Sequence, residues 1–490
     1  MADALGGHGD EHEEKRRRTS EPTPDVSVLV PCKNALPWLP LAVRAALLQH
    51  DLLAEVLVVD DWSTDGSGEW LDALAAALGS ARARVERMAG AQPAEHNLAV
   101  VIPRRPTAAT PNFGADAHAP APAPPADAPA HEPAQPLAAC DVAAEVLASE
   151  SRCRLRVLSN RGHGQGAALQ TALDASTADL IAHIEADDEF GPRRLALMRG
   201  ALKASGGADA VFSVTRLIGT NVTAGMTSYV RWQNGLRDAD ELAAGRFIEL
   251  PALHQVGMYT RASLDACAAH MPGAAAPERM LVYRELREWP VDYDFALRWY
   301  ETGARAFRLD DADAAYEWRQ HGSNGTRWQG RCSLDSLRAC KASYFARALR
   351  DARAPARVQL WSVGRTLDAW AAALVAEGVE VIERFEWNPK QPPPAALGVG
   401  ANARGGGGRG RAPVARGADS DGAHRAAASQ RPTGAGAAGA KSAVPADAGT
   451  AGAVQRAYVR LFVYGAAPVR ERVSRVLEDT WDSGRDFFAA

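Results

Sequence analysis

The chain has 490 residues, and its 55 basic and 59 acidic side chains nearly balance to a net charge of -4. This balance excludes the extended basic surface expected of a nucleic-acid-binding protein, and the length allows two or three domains. The sequence has no stretch of about 18 apolar residues, no apolar signal segment and no CxxC pair among its six cysteines, so we expect reduced thiols and a cytoplasmic protein without a membrane span.

Strands and helices alternate in the first part of the chain. Residues 1–24 are polar and are predicted to be disordered. A buried strand at 26–31 (VSVLVP) precedes a helix at 37–50, and a second strand at 55–61 (EVLVVDD) precedes a helix at 68–79. Repeated strand–helix units predict a parallel sheet with crossover connections.

A low-complexity stretch then interrupts this alternation. Residues from about 80 to 150 are rich in Pro and Ala and cannot bury enough apolar surface to offset their ordering entropy, so we predict a disordered insertion. The pattern resumes with strands at 155–160, 180–188 and 210–219 and helices at 165–175 and 192–205. The insertion therefore lies inside one domain, at 25–350.

A small Rossmann-like domain is predicted at 355–490. Its elements are strands at 357–364, 379–387 and 458–465 and helices at 365–377 and 468–479, with a Gly-, Ala- and Arg-rich insertion at about 392–454. The predicted fold class is α/β, with a Rossmann-like, mostly parallel sheet in the larger domain and long disordered insertions.

Polar residues follow three of the predicted strands. The first strand ends in Pro31-Cys-Lys-Asn34, the second in Asp60-Asp-Trp-Ser-Thr-Asp-Gly66, and the strand at 180–188 in Glu185-Ala-Asp-Asp188. Each motif alone also suits an ordinary turn or helix cap. Ligands bind beyond the carboxyl ends of parallel strands, so we expect the three to face one crevice. Clustered carboxylates there suit a hard divalent cation that is shared with substrate phosphates.

Together these motifs resemble a known family. PCKN, VVDDWSTDGS, NRGHGQGAALQTAL and HIEADD are similar to the successive motifs of family 2 glycosyltransferases with the GT-A fold, over residues 26–330. The resemblance implies Mn²⁺ or Mg²⁺ as cofactor, with Asp188 and Asp187 as metal ligands and Glu185 and His321 as further candidates. It implies nucleotide-sugar contacts from Pro31, Asn34, Asp60, Asp61, Asn160, Gly166 and Asp187.

The segment Trp289-Pro-Val-Asp-Tyr-Asp294 resembles the family's element that opens a helix and carries the catalytic base. Asp292 matches that base, but Val291 stands where the family usually has Glu, which leaves Asp294 as an alternative. An inverting transfer needs one carboxylate to accept the proton of the acceptor hydroxyl. Both acids would also be favourable as ordinary first-turn residues of a helix.

One later stretch extends the resemblance. Tyr316-Glu-Trp-Arg-Gln-His321, followed by Ser323, is similar to a late family motif, so His321 is a candidate for the metal or the diphosphate, although a lone histidine is more often structural. Arg319 and Arg327 are weaker phosphate candidates. Segment 220–290, with Trp232, His254, Tyr259 and Trp289, is predicted to form the acceptor surface.

The C-terminal stretches VQLWSVGRTLDAWAAAL, FEWNPK and LEDTWDSGRDFF resemble the β-1,3-N-acetylglucosaminyltransferase-like protein 1 group. That resemblance implies UDP-GlcNAc as the donor and an unidentified glycan or other hydroxyl acceptor as the partner. Gly364 stands without a GxGxxG fingerprint, which favours a packing or partner-binding role over nucleotide binding for the C-terminal domain.

Two alternatives stay open. The glycines of Gly162-His-Gly-Gln-Gly166 would suit a dinucleotide oxidoreductase, but that function leaves the carboxylate cluster unexplained. Val291 and the long insertions would suit a catalytically inactive nucleotide-sugar-binding or scaffold protein.

Overall fold

The computed structural model describes residues 22–87, 136–270, 281–286, 288–322, 324, 330–362, 365–387, 459–463 and 487–489. The predictions for residues 1–21, the middle of the first insertion, the second insertion and the helix at 468–479 lie outside these ranges.

Fifteen strands in three sheets form the framework of the described residues. They are β1 (Val26–Cys32), β2 (Ala54–Asp60), β3 (Ala83–Glu86), β4 (Arg154–Ser159), β5 (Leu180–His183), β6 (Glu189–Phe190), β7 (Ala210–Ser213), β8 (Thr215–Gly219), β9 (Gly257–Thr260), β10 (Ala306–Leu309), β11 (Tyr316–Gln320), β12 (Arg357–Ser362), β13 (Glu380–Glu386), β14 (Val459–Val463) and β15 (Phe487–Ala489).

Eleven α-helices accompany the strands in the described residues. They are α1 (Leu39–Leu47), α2 (Ser67–Leu78), α3 (Ala139–Ala148), α4 (Gln165–Ala175), α5 (Arg194–Ala204), α6 (Ala224–Gly235), α7 (Ala239–Gly245), α8 (Arg261–Ala269), α9 (Val291–Glu301), α10 (Leu334–Asp351) and α11 (Arg365–Ala376).

The main sheet has the order β10-β7-β9-β5-β1-β2-β4-β3, and β9 alone among these described strands runs antiparallel to its neighbours. Every residue of β1 and β2 is buried, as expected for central strands covered on both faces. This arrangement confirms the predicted α/β fold with a mostly parallel sheet. The small second sheet has the order β6-β11-β8, and the third has the order β13-β12-β14-β15.

The register of the main sheet brings the polar strand ends to one edge. Cys32 lies opposite Asp60, and Asp60 lies opposite Ser159. His183, the last residue of β5, lies opposite Leu29, so the chain leaves β5 before β1 ends. The predicted strand at 180–188 was therefore too long, because residues 184–188 form the loop that crosses this edge.

Two further predictions differ from the structure in extent. The margins of the first insertion are structured, since β3 pairs with β4, and α3 packs on α2 with Val142, Ala143 and Val146 buried. These short apolar stripes are stable only against a tertiary partner. The predicted strand at 210–219 divides into β7 and β8, which join different sheets.

The C-terminal sheet shares a hydrophobic core with α9 and α10. This shared core includes Leu297, Phe345, Leu360, Leu374 and Leu461, all nearly or fully buried. Whether residues 355–490 constitute a separate domain stays a prediction. Among the described residues, every helix is either too short or too polar to cross a bilayer.

Candidate active site

A pocket of about 700 Å³ opens at the carboxyl edge of the main sheet. This volume lies within the roughly 300–1,000 Å³ typical of small-molecule sites. The structure brings these predicted residues to its wall: Pro31, Asn34, Asp61, Glu185, Asp187, Asp188, Asp292 and His321. Predicted residues that do not line it are Asp60, Asn160, Gly166 and Asp294.

Asp61 forms one corner of the pocket, directly after β2. Its carboxylate accepts hydrogen bonds from Asn160 Nδ2 (2.7 Å), the Gly164 backbone N–H (3.0 Å) and Lys33 Nζ (3.1 Å). Three donors from three segments therefore fix its orientation. Asn160 is fully buried and acts on the pocket through Asp61.

Asp60 points away from this corner, because successive side chains of a strand face opposite sides. Its carboxylate accepts hydrogen bonds from Arg87 Nη1 and from the Ser63 backbone N–H, both at 3.1 Å. The structure therefore gives Asp60 a role in the loop after β2, in contrast to the nucleotide contact expected from the sequence.

Asn34 ties the loop after β1 to the loop after β2. Its φ of 48° is in the left-handed region, which asparagine tolerates better than most side chains. Its Oδ1 accepts a hydrogen bond from the Thr64 backbone N–H (2.8 Å), and its own N–H donates to Ser63 Oγ (3.0 Å). Pro31, the penultimate residue of β1, contributes to the wall beside it.

Asp187 and His321 form a close pair on the opposite wall. His321 Nε2 lies 2.9 Å from Asp187 Oδ2, and Asn324 Nδ2 donates to the same oxygen at 3.3 Å. Adjacent ligands of an octahedral cation lie about 3 Å apart when metal–ligand distances are roughly 2.1 Å. The pair is therefore a candidate for holding a divalent cation, which would replace the hydrogen bond between these two atoms.

Asp188 is 1% exposed, and both of its carboxylate oxygens have protein partners. Tyr316 Oη donates to Oδ2 and the Arg319 backbone N–H donates to Oδ1, each at 2.7 Å. Burial and the adjacent Asp187 raise the pKa of Asp188 well above its ordinary value. The geometry thus makes Asp188 the residue that anchors the loop to β11 and favours Asp187 as the direct metal ligand.

Arg319, predicted as a phosphate ligand, uses its guanidinium for contacts within the protein. Its guanidinium pairs with Glu189, donates to the Asp187 carbonyl at 2.9 Å, and lies 4.7 Å from the centre of the Trp38 ring. These contacts hold the loop at residues 184–188, here called the carboxylate loop, in place. Arg327 lies outside the described residues.

Glu185 lines the same pocket as the Asp187–His321 pair and Asp292. Gln165 Nε2 donates to Glu185 Oε1 at 2.7 Å. Burial, with the negative charges of Asp187 and Asp292, raises the pKa of Glu185 to about 8. Below that pH this carboxyl holds a proton unless a cation binds beside it.

The two aspartates in the first turn of α9 have different environments. Asp292 lines the pocket, and burial raises the pKa of Asp292 while the nearby Arg331 opposes the rise. Asp294 is fully buried and forms ion pairs with Arg284 and Arg298. Burial alone would raise the pKa of Asp294, but these guanidinium groups hold it below its ordinary value. Asp294 is therefore a structural acid, and Asp292 is the acid that faces the pocket.

The start of α4 is held by Glu285. Its carboxylate accepts a hydrogen bond from the Gly166 backbone N–H at 2.6 Å and pairs with Arg331. A Cβ at Gly164, whose φ is +90°, would lie 2.5 Å from the Glu285 carboxyl carbon. The close approach thus depends on glycine at 164, and Gly166 contributes a backbone donor outside the pocket wall.

Several residues at the site were missed from the sequence. Tyr316 and Asn324 lay inside or beside the late motif, but their contacts with the carboxylates depend on the pairing of β11 with β6. Gln165 lay inside the glycine-rich motif without a role of its own, and Arg331 carried no local signal. Of the predicted acceptor residues, His254 lines the pocket, whereas Tyr259 is buried in the main core.

The comparison with protein families decides the class of this site. A sequence model of the family described as "Glycosyl transferase family 2" matches residues 27–92 and 139–263, which contain Asp61 and the 185–188 loop. The chain contains a glycosyl transferase family 2 domain. The oxidoreductase alternative loses its support, because residues 162–166 lie within the match. Asp292 and His321 lie beyond the matched residues.

Three solved structures are similar to the chain. S. aureus TarS 1–349 in complex with UDP-GlcNAc is 14% identical, with 66% of each chain covered and a TM-score of 0.37. The mannosyltransferase PcManGT from Pyrobaculum calidifontis with GDP-Man and Mn²⁺ is 16% identical, with 75% of each chain covered and a TM-score of 0.35. Glucosyl-3-phosphoglycerate synthase from Mycobacterium tuberculosis with Mn²⁺, UDP and glucosyl-3-phosphoglycerate is 14% identical, covers 72% of this chain and 88% of that one, and has a TM-score of 0.31.

The chain spans slightly less than two thirds, 65%, of the length of the TarS 1–349 structure without ligand. A search of curated proteins found no significant match to this sequence.

Proposed function

We propose that the protein is a glycosyltransferase that transfers a sugar from a UDP-sugar to an acceptor hydroxyl with inversion at the anomeric carbon. The observation that carries this proposal is that one pocket is lined by Asp61, by the Asp187–His321 pair and by Asp292. UDP-GlcNAc is the donor that the resemblance of the C-terminal stretches favours. Val291 is 3% exposed and packs in the main core, so its presence beside Asp292 gives no support to an inactive scaffold.

The two ends of the donor would meet different sides of the pocket. Asp61, oriented by three donors, presents a carboxylate that can accept a hydrogen bond from the base or ribose. Asp187 and His321 would hold Mn²⁺ or Mg²⁺ close to the diphosphate, with Asn324 supporting Asp187. When bound, the cation supplies Lewis-acid stabilisation of the diphosphate leaving group.

Asp292 would accept the proton in the transfer step. The acceptor oxygen forms a bond to the anomeric carbon, the bond from that carbon to the donor's diphosphate oxygen breaks, and the acceptor's proton moves to the Asp292 carboxylate. UDP leaves with the electron pair of the broken bond. Burial raises the pKa of Asp292, which makes its carboxylate a stronger base than an exposed aspartate.

Replacement of the base tests the reaction. We expect Asp292→Asn to reduce transfer about 100- to 10,000-fold, because general-base catalysis contributes that factor, while UDP affinity stays near wild type. Transfer and slow donor hydrolysis would be measured across UDP-GlcNAc, UDP-Glc, UDP-Gal and GDP-Man, and UDP binding by calorimetry with Mn²⁺. Asp265→Asn, on the exposed side of α8, is the matched control.

Two results would contradict the proposal. Normal transfer by Asp292→Asn would remove the base from this position. UDP binding in wild type without transfer or hydrolysis of any of these donors would instead support the inactive binding protein.

A further inference from the structure

Two histidines meet beneath Glu185 in contacts that the proposed donor site does not use. His183 ends β5, and His254 begins the 3-10 turn His254–Val256 that leads into β9. Their rings stack with centroids 4.1 Å apart and planes tilted by 32°. Their exposed fractions are 2% and 3%, so both imidazoles are removed from bulk water.

Three of the four ring nitrogens of this pair lack a hydrogen-bond partner among the described residues. Within the described part of the chain, His183 Nδ1, His183 Nε2 and His254 Nε2 make no hydrogen bond. The large majority of buried polar side-chain atoms in folded proteins have a partner, so three such nitrogens side by side require an explanation. Tyr283 and Phe295 lie around His254, with ring centroids 5.8 and 5.9 Å away.

The separations suit coordination to one cation. His183 Nε2 lies 3.4 Å from Glu185 Oε1, and one ligand atom from each of His183, Glu185 and His254 lies within 4.8 Å of the other two. Tetrahedral zinc ligands at roughly 2.0–2.1 Å from the metal are about 3.4 Å apart. Because no pair is wider than 4.8 Å, the ligand atoms have to close by at most about 1.4 Å to reach this spacing.

We propose that His183, Glu185 and His254 form a second cation site, selective for a first-row transition metal such as Zn²⁺. This inference does not depend on the assignment of the sugar donor. Imidazole ligands favour Zn²⁺ over Mg²⁺, and two histidines with one glutamate are a ligand set of catalytic zinc sites, which keep one coordination position open. Glu185 and His254 line the pocket, so the open position would face the bound substrate.

Gln165 has a positioning role at this site. Its Nε2 donates to Glu185 Oε1 at 2.7 Å, which fixes the carboxylate near His183. Outer partners of metal ligands of this kind change metal affinity by about 10- to 100-fold when removed. The same factor is expected for Gln165→Ala.

Zinc titration of the full chain tests the proposal. The protein is stripped with a chelator and titrated with Zn²⁺ against a chromophoric competitor, without nucleotide. Wild type should bind one zinc ion in addition to any held by the Asp187–His321 pair, and Glu185→Gln and His254→Phe should each weaken this additional ion by more than about 100-fold, since direct ligands exceed the effect of outer partners. Asp187→Asn should retain this ion. His270→Gln is the matched control, because His270 Nε2 lies 3.2 Å from Glu301 away from the pocket.

Substitution with Co²⁺ gives a second readout of the site. Co²⁺ in place of zinc should give the intense visible absorption of a four-coordinate site, lost in Glu185→Gln and kept in His270→Gln. Equal zinc affinity in wild type, Glu185→Gln and His254→Phe would overturn the proposal, as would loss of the ion in Asp187→Asn alone, which assigns it to the donor site. If His254→Phe does not fold, Glu185→Gln decides the result, because it preserves side-chain shape at the pocket wall.

Discussion

At the scale of the residue, the environment of Asp292 predicts the pH dependence of transfer. The base acts when it is ionised, and burial raises the pKa of Asp292. The rate should therefore fall on acidification at a higher pH than the value of about 3.9 for an ordinary aspartate. The acid limb of kcat/KM against pH measures this, because it reports the pKa of the free enzyme.

Arg331 provides the control for this dependence. Its positive charge opposes the rise in the pKa of Asp292, so Arg331→Gln should move the acid limb to still higher pH. Arg331→Lys keeps the charge and should move it less. An acid limb that Arg331→Gln leaves in place would mean that another group titrates in that range.

The carboxylate loop predicts different effects for its two aspartates. Asp187 Oδ2 lies at the cation pair, so Asp187→Asn should abolish the increase in UDP affinity that Mn²⁺ produces. Asp188→Asn can still accept from the Arg319 N–H, and its amide can donate to Tyr316 Oη in place of the bond it loses, so it should weaken Mn²⁺ by about 10- to 100-fold, as an outer partner does. Calorimetry of UDP with and without Mn²⁺ compares them. A larger loss in Asp188→Asn would restore Asp188 as the direct ligand.

At the scale of the element, the start of α4 depends on Gly164. Its φ of +90° alone makes Gly164→Ala strained, by about 1–3 kcal/mol, and the new Cβ would collide with Glu285. We expect loss of stability in urea denaturation and weaker UDP binding, because Gly164 N–H orients Asp61. Gly79→Ala is the matched control, since φ is +72° there with open space around it. Gly79→Ala should lose stability alone, and equal UDP affinity in both variants would contradict this role of Gly164.

The elements also show how far the sequence could predict this site. Continuous apolar runs with polar ends identified β1 and β2, and parallel pairing was enough to bring Asp61 near the 185–188 loop. The periodicity of two in a strand could have separated Asp60 from Asp61, although the sequence did not show which of the two faces the pocket. Partners such as Tyr316 and Arg331 come from distant segments, and local patterns carry no information about such contacts. The resemblance, and not periodicity, selected Asp292.

At the scale of the whole molecule, long-range packing explains the largest differences from the sequence-based expectations. The antiparallel β9 and the helix α3 have short, weak patterns, and each is stabilised by neighbours formed elsewhere in the chain. Residues on both sides of the predicted boundary near residue 350 pack in one core, and the boundary itself stays a prediction. Phe345 of α10 packs in the same cluster as Leu360 and Leu374 of the C-terminal sheet and its helix.

This shared core predicts that the two larger sheets unfold together. Leu374 is fully buried, so Leu374→Ala should reduce the free energy of unfolding by about 2–5 kcal/mol. Because α9 carries Asp292 on the same core, UDP with Mn²⁺ should raise the melting temperature of both sheets in wild type and variant. Hydrogen exchange of β1 and β12 measures each sheet separately, and Val375→Ala, at the exposed neighbouring position, is the control. Leu374→Ala would contradict this prediction if it accelerated exchange in β12 while β1 kept wild-type protection. The C-terminal sheet would then unfold as an independent unit. In that case the predicted division near residue 350 would describe the molecule better than the shared core does.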